Sequence, residues 1–580
     1  MINKYIFQDF FVLRMVEMMH KDTLDSYRVR TNNVMSILKE LSEVLRNWRD
    51  GNIKRFITVQ SCIEECITLL QEDDGLVYPE YTKNLFLADL NTFISNSNDS
   101  KHKDIPLKDE SNALIYFIEE CISQNQKKYL FKLIEKIKSF VFTKYEYDNN
   151  DFMPRLTAFD KILNAFGCEL INKGYSKKYL YLFFLSFKNN QLGKSFEEAF
   201  SEMEHKLTSL RKQDFTVVIQ VSFPSEKMAI TAERQCTEIK DIIPINLRNN
   251  ITRQRNYFKT NKFLRYYILN IKAFDRSSAA SSCYAQLSDY LDKNQDIIRD
   301  ATIANYSLVF SLNPNGSYRV TPERYFILDN GGQDTDNTNS TFNNAIGKIL
   351  KSKTVEDDVK DRIVSSLRHL RIGDSQIEIE QQFINYWIAL EFLFSSSVKG
   401  ESTIERIKDY LIRILCVCYT KRNALYLKHW FIRVQFLKED DSIYDYVNDD
   451  VVNTINNALE KYRAKKLKSH LRSKDAVQKY VMAHRIHLQQ HITRIYRLRN
   501  ELVHEAAIKQ NIMSVTSNLR FYLVFVLNQL IGFFSGENTH QTPKTMHQFF
   551  WFYQKWERTI AELNPKDGAL RVPLAKNYIN

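Results

Sequence analysis

The sequence predicts a mainly α-helical protein with one small α+β module near its middle. Glycine and proline are scarce in the 580 residues, at 14 and 10 respectively, which disfavours loop-rich β architectures and favours long helices. Apolar residues recur at 3.6-residue spacing along most of the chain, whereas strand-like patterns occur only between about 215 and 330. Because the chain is longer than one hydrophobic core usually organises, we expect several domains.

Residues 1–145 form the first predicted domain, an N-terminal helical region. Polar stretches at 95–109 and 147–150 separate its amphipathic segments. Residues 146–213 continue the helical pattern and form a predicted helical connector. The predicted helices of the first domain cover 24–47, 52–70, 85–94 and 113–142.

Residues 214–330 form the predicted α+β module, because the pattern changes from helical to strand-like at Phe215. A helix is predicted over 277–291, between the strands. The polar, low-complexity segment 331–344 is typical of a flexible linker. The predicted strands cover 216–223, 266–273, 306–312 and 318–321.

Residues 345–580 form the predicted C-terminal helical bundle, interrupted by a basic insertion at 420–475. The longest apolar run, 519–534, contains Arg520 and is shorter than a membrane span, so it predicts a core helix and no membrane partner. The predicted helices of the bundle cover 344–370, 377–394, 403–419, 478–505, 513–534 and 549–562.

Positive charge is concentrated in one part of the chain. The formal net charge is +12, and residues 461–520 hold fourteen Lys or Arg against three Asp or Glu. Such a segment suits a phosphate backbone, a membrane surface or an acidic protein, and a merely solvated helix face is the open alternative. Tyr462 and Tyr480 lie within or beside it, where they could stack on bases. The residues predicted to contact a nucleic acid are Lys461, Arg463, Lys465, Lys466, Lys468, Arg472, Lys474 and Arg497.

The eight cysteines follow neither a disulfide framework nor the paired spacing of a zinc site. We therefore expect them to be reduced core residues of a cytoplasmic protein. Charges interrupt the apolar residues at the N-terminus, which excludes a signal peptide there. The sequence contains no glycine-rich phosphate loop, so nucleotide-hydrolysing motors and dinucleotide enzymes are disfavoured, and we predict no cofactor and no metal.

Two predicted helices of the bundle each carry a charged residue on or beside their apolar face. Arg499 falls in the middle of an apolar helix face, where an unpaired charge would be too costly to keep. Glu391 lies at the edge of the apolar stripe of the helix at 377–394. If these faces meet, Glu391 and Arg499 can form an ion pair, which would serve either a functional site or only the register of the two helices.

The segments 386–391 (YWIALE) and 496–504 (YRLRNELVH) resemble an Apea-like HEPN domain over about 375–535, a quarter of the chain. The resemblance implies a helical bundle that forms a homodimer or higher homo-oligomer and acts as a metal-independent RNA endonuclease. It also implies that Arg499, Asn500 and His504 are the catalytic residues. Anti-phage effectors with similar architecture cut RNA, tRNA included, which implies that the N-terminal region senses a trigger or phage component.

The chemistry of these side chains fits such an activity. Histidine has a pKa near neutrality and suits proton transfer to or from the 2′-hydroxyl and leaving oxygens, which is the role predicted for His504. Arg499 would clamp the phosphate, and Asn500 would orient it by a hydrogen bond. On one helix Arg499 and His504 point about 140° apart, so the resemblance implies that two copies of the motif face each other across a cleft.

Two other interpretations remain open from the sequence. His484, His487 and His491 share one helix face at a spacing compatible with metal ligands, but no nearby acidic residue or cysteine completes the set, and RNA contacts or a solvated face are the alternatives. The HEPN-like bundle could also be non-catalytic and bind RNA, a nucleotide or a protein, or serve as a scaffold.

Overall fold

The structure is a computed structural model that is mainly helical and contains one small antiparallel sheet. The residues it describes are 6–21, 23–98, 106–143, 149–190, 194–209, 211–251, 261–294, 300–313, 315–324, 336–395, 402–433, 435, 437–443, 452, 454–505, 512–536 and 543–579. Side chains are described for these residues except at 98, 106–108, 149–150, 190, 324, 336–339 and 504–505.

The N-terminal region is a bundle of amphipathic helices around one core. One of these helices begins with a capping box at Asn33. The Asn33 side chain accepts a hydrogen bond from the Ser36 backbone amide, and the Ser36 hydroxyl accepts one from the Asn33 backbone amide. The helices are α1 (Ile6–Met19), α2 (Val34–Arg49), α3 (Phe56–Glu72), α4 (Glu80–Asn98), α5 (Pro106–Asn125), α6 (Tyr129–Val141), α7 (Asn149–Asn172), α8 (Lys177–Asn190) and α9 (Phe196–Thr208).

The central module is a five-stranded antiparallel sheet in the order β2-β3-β1-β4-β5. Val217 of the middle strand faces Leu269 on one side and Val309 on the other. The four strands and the helix predicted here are confirmed, and the two-residue β2 was missed because it is too short to show alternation. The elements are β1 (Gln213–Ser222), α10 (Glu226–Gln235), β2 (Ile239–Lys240), α11 (Ile245–Arg248), β3 (Leu264–Ala273), α12 (Arg276–Lys293), β4 (Thr302–Leu312) and β5 (Tyr318–Arg324).

The C-terminal bundle surrounds a second large core. Its helices are α13 (Asp336–Lys351), α14 (Asp357–Ser375), α15 (Ile379–Phe394), α16 (Thr403–Arg406), α17 (Ile412–Arg433), α18 (Ala458–Leu471), α19 (Lys474–Glu505), α20 (Ile512–Phe534) and α21 (Met546–Glu562). A π-helical turn, Ile407–Leu411, joins α16 to α17. The close approach of α14 and α15 depends on Gly373, since a Cβ there would lie 2.5 Å from Tyr386 Cε1.

The predicted boundaries of this region need three corrections, the first being that the predicted helix 344–370 is two helices, α13 and α14, separated at 352–356. Residues 336–344 of the predicted linker belong to α13, and 331–335 lie outside the described residues. The predicted insertion at 420–475 begins inside α17, which continues to Arg433, and it contains α18. The sequence pattern misled here because a polar run that enters a helix is indistinguishable from a linker by composition alone.

Helix α18 joins the N-terminal and C-terminal cores. Its Ala458, Leu459 and Tyr462 belong to the N-terminal core, whereas Leu467 and Leu471 belong to the C-terminal one. The Tyr462 ring meets Phe10 edge-on, with ring centroids 5.4 Å apart. The two helical regions are therefore a single packed structure in which α18 is shared.

The apolar segment predicted as a core helix lies in the C-terminal core as α20. Among the described residues it is the one helix long and apolar enough to cross a membrane, and 78% of its most apolar window is buried in the protein. All eight cysteines are buried and unpaired, as predicted.

Glu460 is a buried carboxyl in the first turn of α18. It is 8% exposed, and its Oε2 has no hydrogen-bond partner. Burial raises the pKa of Glu460 to about 8. Between the ordinary carboxyl pKa and pH 8 the folded protein therefore holds a proton that the unfolded chain has lost, so this group stabilises the fold at low pH and loses that effect as pH rises.

We therefore expect Glu460→Gln to be more stable than the parent protein at pH 8, with the advantage shrinking towards pH 5. The difference in unfolding free energy should change by up to about 1.4 kcal/mol per pH unit within this window. Urea unfolding of both proteins at pH 5, 6.5 and 8 measures it. A difference that is the same at all three pH values would contradict the burial of Glu460.

Candidate functional site

Helices α15 and α19 bring Glu391 and Arg499 together. An Nη2 of Arg499 lies 3.7 Å from Glu391 Oε1, and the Trp387 Nε1 donates to the same oxygen at 2.6 Å. Arg499 Nη1 also donates to Asn500 Oδ1 at 3.2 Å. The ion pair expected from the two interrupted apolar stripes is therefore present.

Arg499 occupies the rim of the bundle and not the centre of its core. Its side chain is 28% exposed and that of Glu391 is 32% exposed. Val503, four residues further along the same face of α19, is half exposed. The predicted position of Arg499 in the middle of an apolar face is therefore wrong, because the buried part of α19 ends at Leu498 and the residues from Arg499 to Leu502 are only partly buried. A guanidinium at this rim keeps donors that a solvent-borne phosphate can reach.

A second ion pair fixes the helices around this rim. Arg520 of α20 donates to both oxygens of Asp374, at 2.7 and 2.9 Å, and the Tyr386 hydroxyl donates to the same carboxylate at 2.6 Å. Tyr386 and Glu391 both belong to α15. The network therefore anchors α15 to α14 and α20.

His504 lies in the last turn of α19, and its side chain is outside the described residues. Its backbone position keeps it five residues beyond Arg499 on the same helix. Its proposed role as proton carrier accordingly stays a prediction.

Much of the predicted RNA-binding surface faces the inside of the protein. Arg463 is buried, with its Nη2 2.7 Å from Glu17 Oε2 and its guanidinium 3.9 Å above the Tyr27 ring. Tyr462 is fully buried, so it has no face on which a base could stack. The predicted roles of Arg463 and Tyr462 in RNA binding are therefore wrong for this conformation, because their helix is used to join the two cores.

The other predicted cations of this segment are either partly buried in α18 or exposed at its C-terminal end. Lys465 lies over the Phe152 ring at 4.9 Å, and burial lowers the pKa of Lys466 to about 8 even though Asp160 is near. Arg472 and Lys474 are exposed at the junction of α18 and α19, and Lys461 and Lys468 are partly buried. The basic segment thus offers a much smaller accessible surface than its charge suggests.

Arg497 is also directed inward. Its guanidinium is ion-paired to Glu40 of α2, and its side chain is 9% exposed. Its neighbour Arg494 pairs with both Glu40 and Glu65, which belong to α2 and α3. The predicted RNA contact at Arg497 is thus replaced by a contact with the N-terminal region.

The three histidines predicted to share one face of α19, His484, His487 and His491, lie in separate surroundings, and His487 is exposed. His484 stacks on Tyr419, with ring centroids 3.7 Å apart and planes within 6°. His491 shares a 2.8 Å hydrogen bond with the Tyr522 hydroxyl. Burial lowers the pKa of both His484 and His491 to about 3, so both are neutral at physiological pH. In the part of the chain that the structure describes, no group of three or more His, Cys, Asp or Glu side chains is arranged to hold a metal ion.

Sequence reasoning missed Glu40, Glu65 and Arg494. A signal was present for Glu40, which lies three residues after Ile37 and four before Val44 on the apolar face of α2. This is the same anomaly that singled out Arg499. What the sequence lacked was any indication that α19 forms ion pairs with α2 and α3, which lie more than 400 residues earlier in the chain.

No protein-family model gives a significant match to this chain. No curated protein gives one either. No solved structure is significantly similar to it.

Proposed function

We propose that the C-terminal bundle is a metal-independent RNA endonuclease of the HEPN type. The observation that supports this most is the position of Arg499, a partly exposed guanidinium held by Glu391 beside Asn500 at the rim of an otherwise apolar bundle. A core-stabilising ion pair would not need to leave a third of both partners in contact with solvent. A phosphate clamp does need this exposure.

The proposed reaction is attack by the 2′-hydroxyl on the adjacent phosphate. A base removes the hydroxyl proton, the oxygen forms a bond to phosphorus, and the 5′-oxygen of the next nucleotide leaves and takes up a proton. Arg499 offsets the negative charge that grows on the phosphate, and Asn500 orients it. His504 is the proposed proton carrier. The products are a 2′,3′-cyclic phosphate and a 5′-hydroxyl.

A single copy of α19 is a poor arrangement for this reaction, because Arg499 and His504 diverge by about 140° around the helix axis. We therefore propose that a homodimer or higher homo-oligomer places two motifs across one cleft. The proposed setting is the cytoplasm, in keeping with eight unpaired, buried cysteines. The proposed biological role is anti-phage defence by cutting RNA, tRNA included, after the N-terminal region meets a trigger or phage component.

The test is digestion of end-labelled total RNA by the purified full-length protein in excess EDTA. The proposal predicts discrete fragments whose 3′ ends carry a cyclic phosphate and whose 5′ ends accept phosphate from a kinase without prior dephosphorylation. RNA that stays intact over a wide range of protein concentrations, both with EDTA and with added Mg²⁺, would reject it.

The burial of Arg463 and Arg497 favours a second candidate, a non-catalytic HEPN-like module. Because these arginines are used inside the protein, the accessible positive surface is small, which suits a module that binds a protein or a nucleotide better than one that holds a long RNA. This candidate predicts intact RNA in the digestion above. The two candidates therefore separate in one experiment.

A further inference from the structure

The last three turns of α19 are held by carboxylates from the N-terminal region. Arg494 Nε lies 2.8 and 3.0 Å from the two oxygens of Glu40, and its Nη2 is ion-paired to Glu65. Arg497 Nη2 pairs with the same Glu40, and its Nε lies 3.9 Å from Glu501 Oε1. Glu40 therefore contacts two arginines one turn apart on a single helix face.

The ion pairs of Glu40 with Arg494 and Arg497 are shielded from water and restrict the orientation of α19. Arg494 and Arg497 are each 9% exposed, and the Asn32 side-chain amide donates to Glu40 Oε2 at 2.7 Å. Burial favours a neutral Glu40, but Arg494 and Arg497 outweigh it and hold its pKa at about 2. Glu40 is consequently ionised at neutral pH. Charged hydrogen bonds shielded from water tolerate little displacement, so they define the rotation of α19 about its axis.

The candidate site lies on the same part of this helix. Arg499 and Asn500 stand between Arg497 and Glu501, so a rotation of this segment moves both. The Arg499–Glu391 contact, at 3.7 Å, is longer than the Arg494–Glu40 contacts and is more exposed. The buried charged contacts of this segment are therefore made with α2 and α3, whereas its charged contact with α15 lies at the exposed rim.

The N-terminal region leaves Arg499 of the candidate site accessible to solvent. Arg499 retains its solvent-exposed fraction with α2 and α3 fully in place. A region that acted as a plug would bury the guanidinium that binds phosphate, and here it buries only the two arginines that precede it.

We infer that Glu40 is a positioning residue for the candidate nuclease site, acting through Arg494 and Arg497 to set the direction of Arg499 and Asn500. The inference rests on the proposed function, since it assigns Glu40 a role in that activity. The N-terminal region then completes the active enzyme, and the site is shared between two regions that lie far apart in the sequence.

The test compares two variants that each lose one buried carboxylate between the same two regions. Glu40→Gln keeps the shape of the side chain and removes its charge. Asp25→Asn is the matched control, because Asp25 pairs with Arg422 of α17 at 2.8 Å and touches no residue of the proposed site. Both are measured in the full chain for melting temperature and for kcat and KM of RNA cleavage in EDTA.

We expect Glu40→Gln to lower kcat at least tenfold with little change in KM, and Asp25→Asn to change kcat less than twofold at a comparable loss of melting temperature. Glu40→Asp, which restores the charge, should recover part of kcat. Equal losses of kcat in Glu40→Gln and Asp25→Asn would overturn the inference, and so would a rise in cleavage by Glu40→Gln, which would mean a restraint instead of a support.

A second readout separates this inference from the proposed function. Amide hydrogen exchange of residues 494–503 reports the order of the helix whether or not the protein cuts RNA. Glu40→Gln should speed exchange there at least tenfold, and Asp25→Asn should not. If the parent protein cuts no RNA, the nuclease proposal fails, and unchanged exchange in Glu40→Gln overturns the positioning role separately.

Discussion

Replacing Arg499 by alanine should lower the rate of RNA cleavage by about 100-fold to 1,000-fold, the range found when one preorganised donor to a developing anion is removed. Arg499 is the cation that the proposed reaction needs, and no other arginine of α19 near it is available, because Arg494 and Arg497 are paired with carboxylates of α2 and α3. The rate is measured with labelled RNA in EDTA at saturating substrate. Stability should fall little, since the side chain lies at the rim.

Two variants control this experiment. Lys479→Ala removes an exposed cation from the same helix and should leave the rate within twofold. Arg499→Lys keeps the charge but loses the fork geometry, so an intermediate rate is expected. Cleavage by Arg499→Ala at the rate of Lys479→Ala would mean that the Arg499–Glu391 pair serves only the packing of α15 against α19.

A fragment beginning at residue 345 should not fold. It would lose the carboxylates that neutralise three sets of buried arginines: Asp25 for Arg422, Glu17 for Arg463, and Glu40 with Glu65 for Arg494 and Arg497. Deleting residues 1–344 removes both these carboxylates and the helices that shield the arginines from water, so the fragment loses every ion pair of this interface together with its packing. Because an ordinary domain is stable by only about 5–15 kcal/mol, we expect the remaining contacts to be insufficient.

The fragment would also expose the side of α18 that completes the N-terminal core, including Tyr462. We expect aggregated material on expression, without the cooperative unfolding transition of the full chain. Co-expression with residues 1–344 should return a soluble complex that contains both pieces. A soluble fragment 345–580 that melts cooperatively by itself would contradict the shared core.

Secondary structure could be predicted from the sequence where the pattern of apolar and polar residues within a short segment determines it. The strands of the central module follow from alternation around residues 216–223 and 266–273, and α20 follows from one long apolar run. Glu391 and Arg499 were paired from sequence because each interrupts an apolar stripe and an ion pair is the simplest way to keep both. The strands and α20 depend on periodicity within one segment, and the ion pair depends on the same interruption appearing in two segments.

The inferences that failed depend on which segments meet. The basic run of α18 looked like an RNA-binding surface, but Arg463 meets Glu17 and the helix is buried between two cores. Charge density in a sequence does not reveal whether a carboxylate 446 residues away neutralises it. For the same reason Arg497 was assigned to RNA and Glu40 was overlooked, because a single helix pattern contains no information about its tertiary partner.

The most direct measurement of the central claim is the chemical nature of the ends that the protein leaves on RNA. Full-length protein and His504→Ala are incubated with the same RNA in EDTA, and the 3′ termini of the products are identified by mass spectrometry. We predict fragments ending in 2′,3′-cyclic phosphate from the parent protein and none from His504→Ala. Identical fragments from both proteins, or 3′-hydroxyl ends from the parent protein, would contradict metal-independent cleavage at the Arg499 rim.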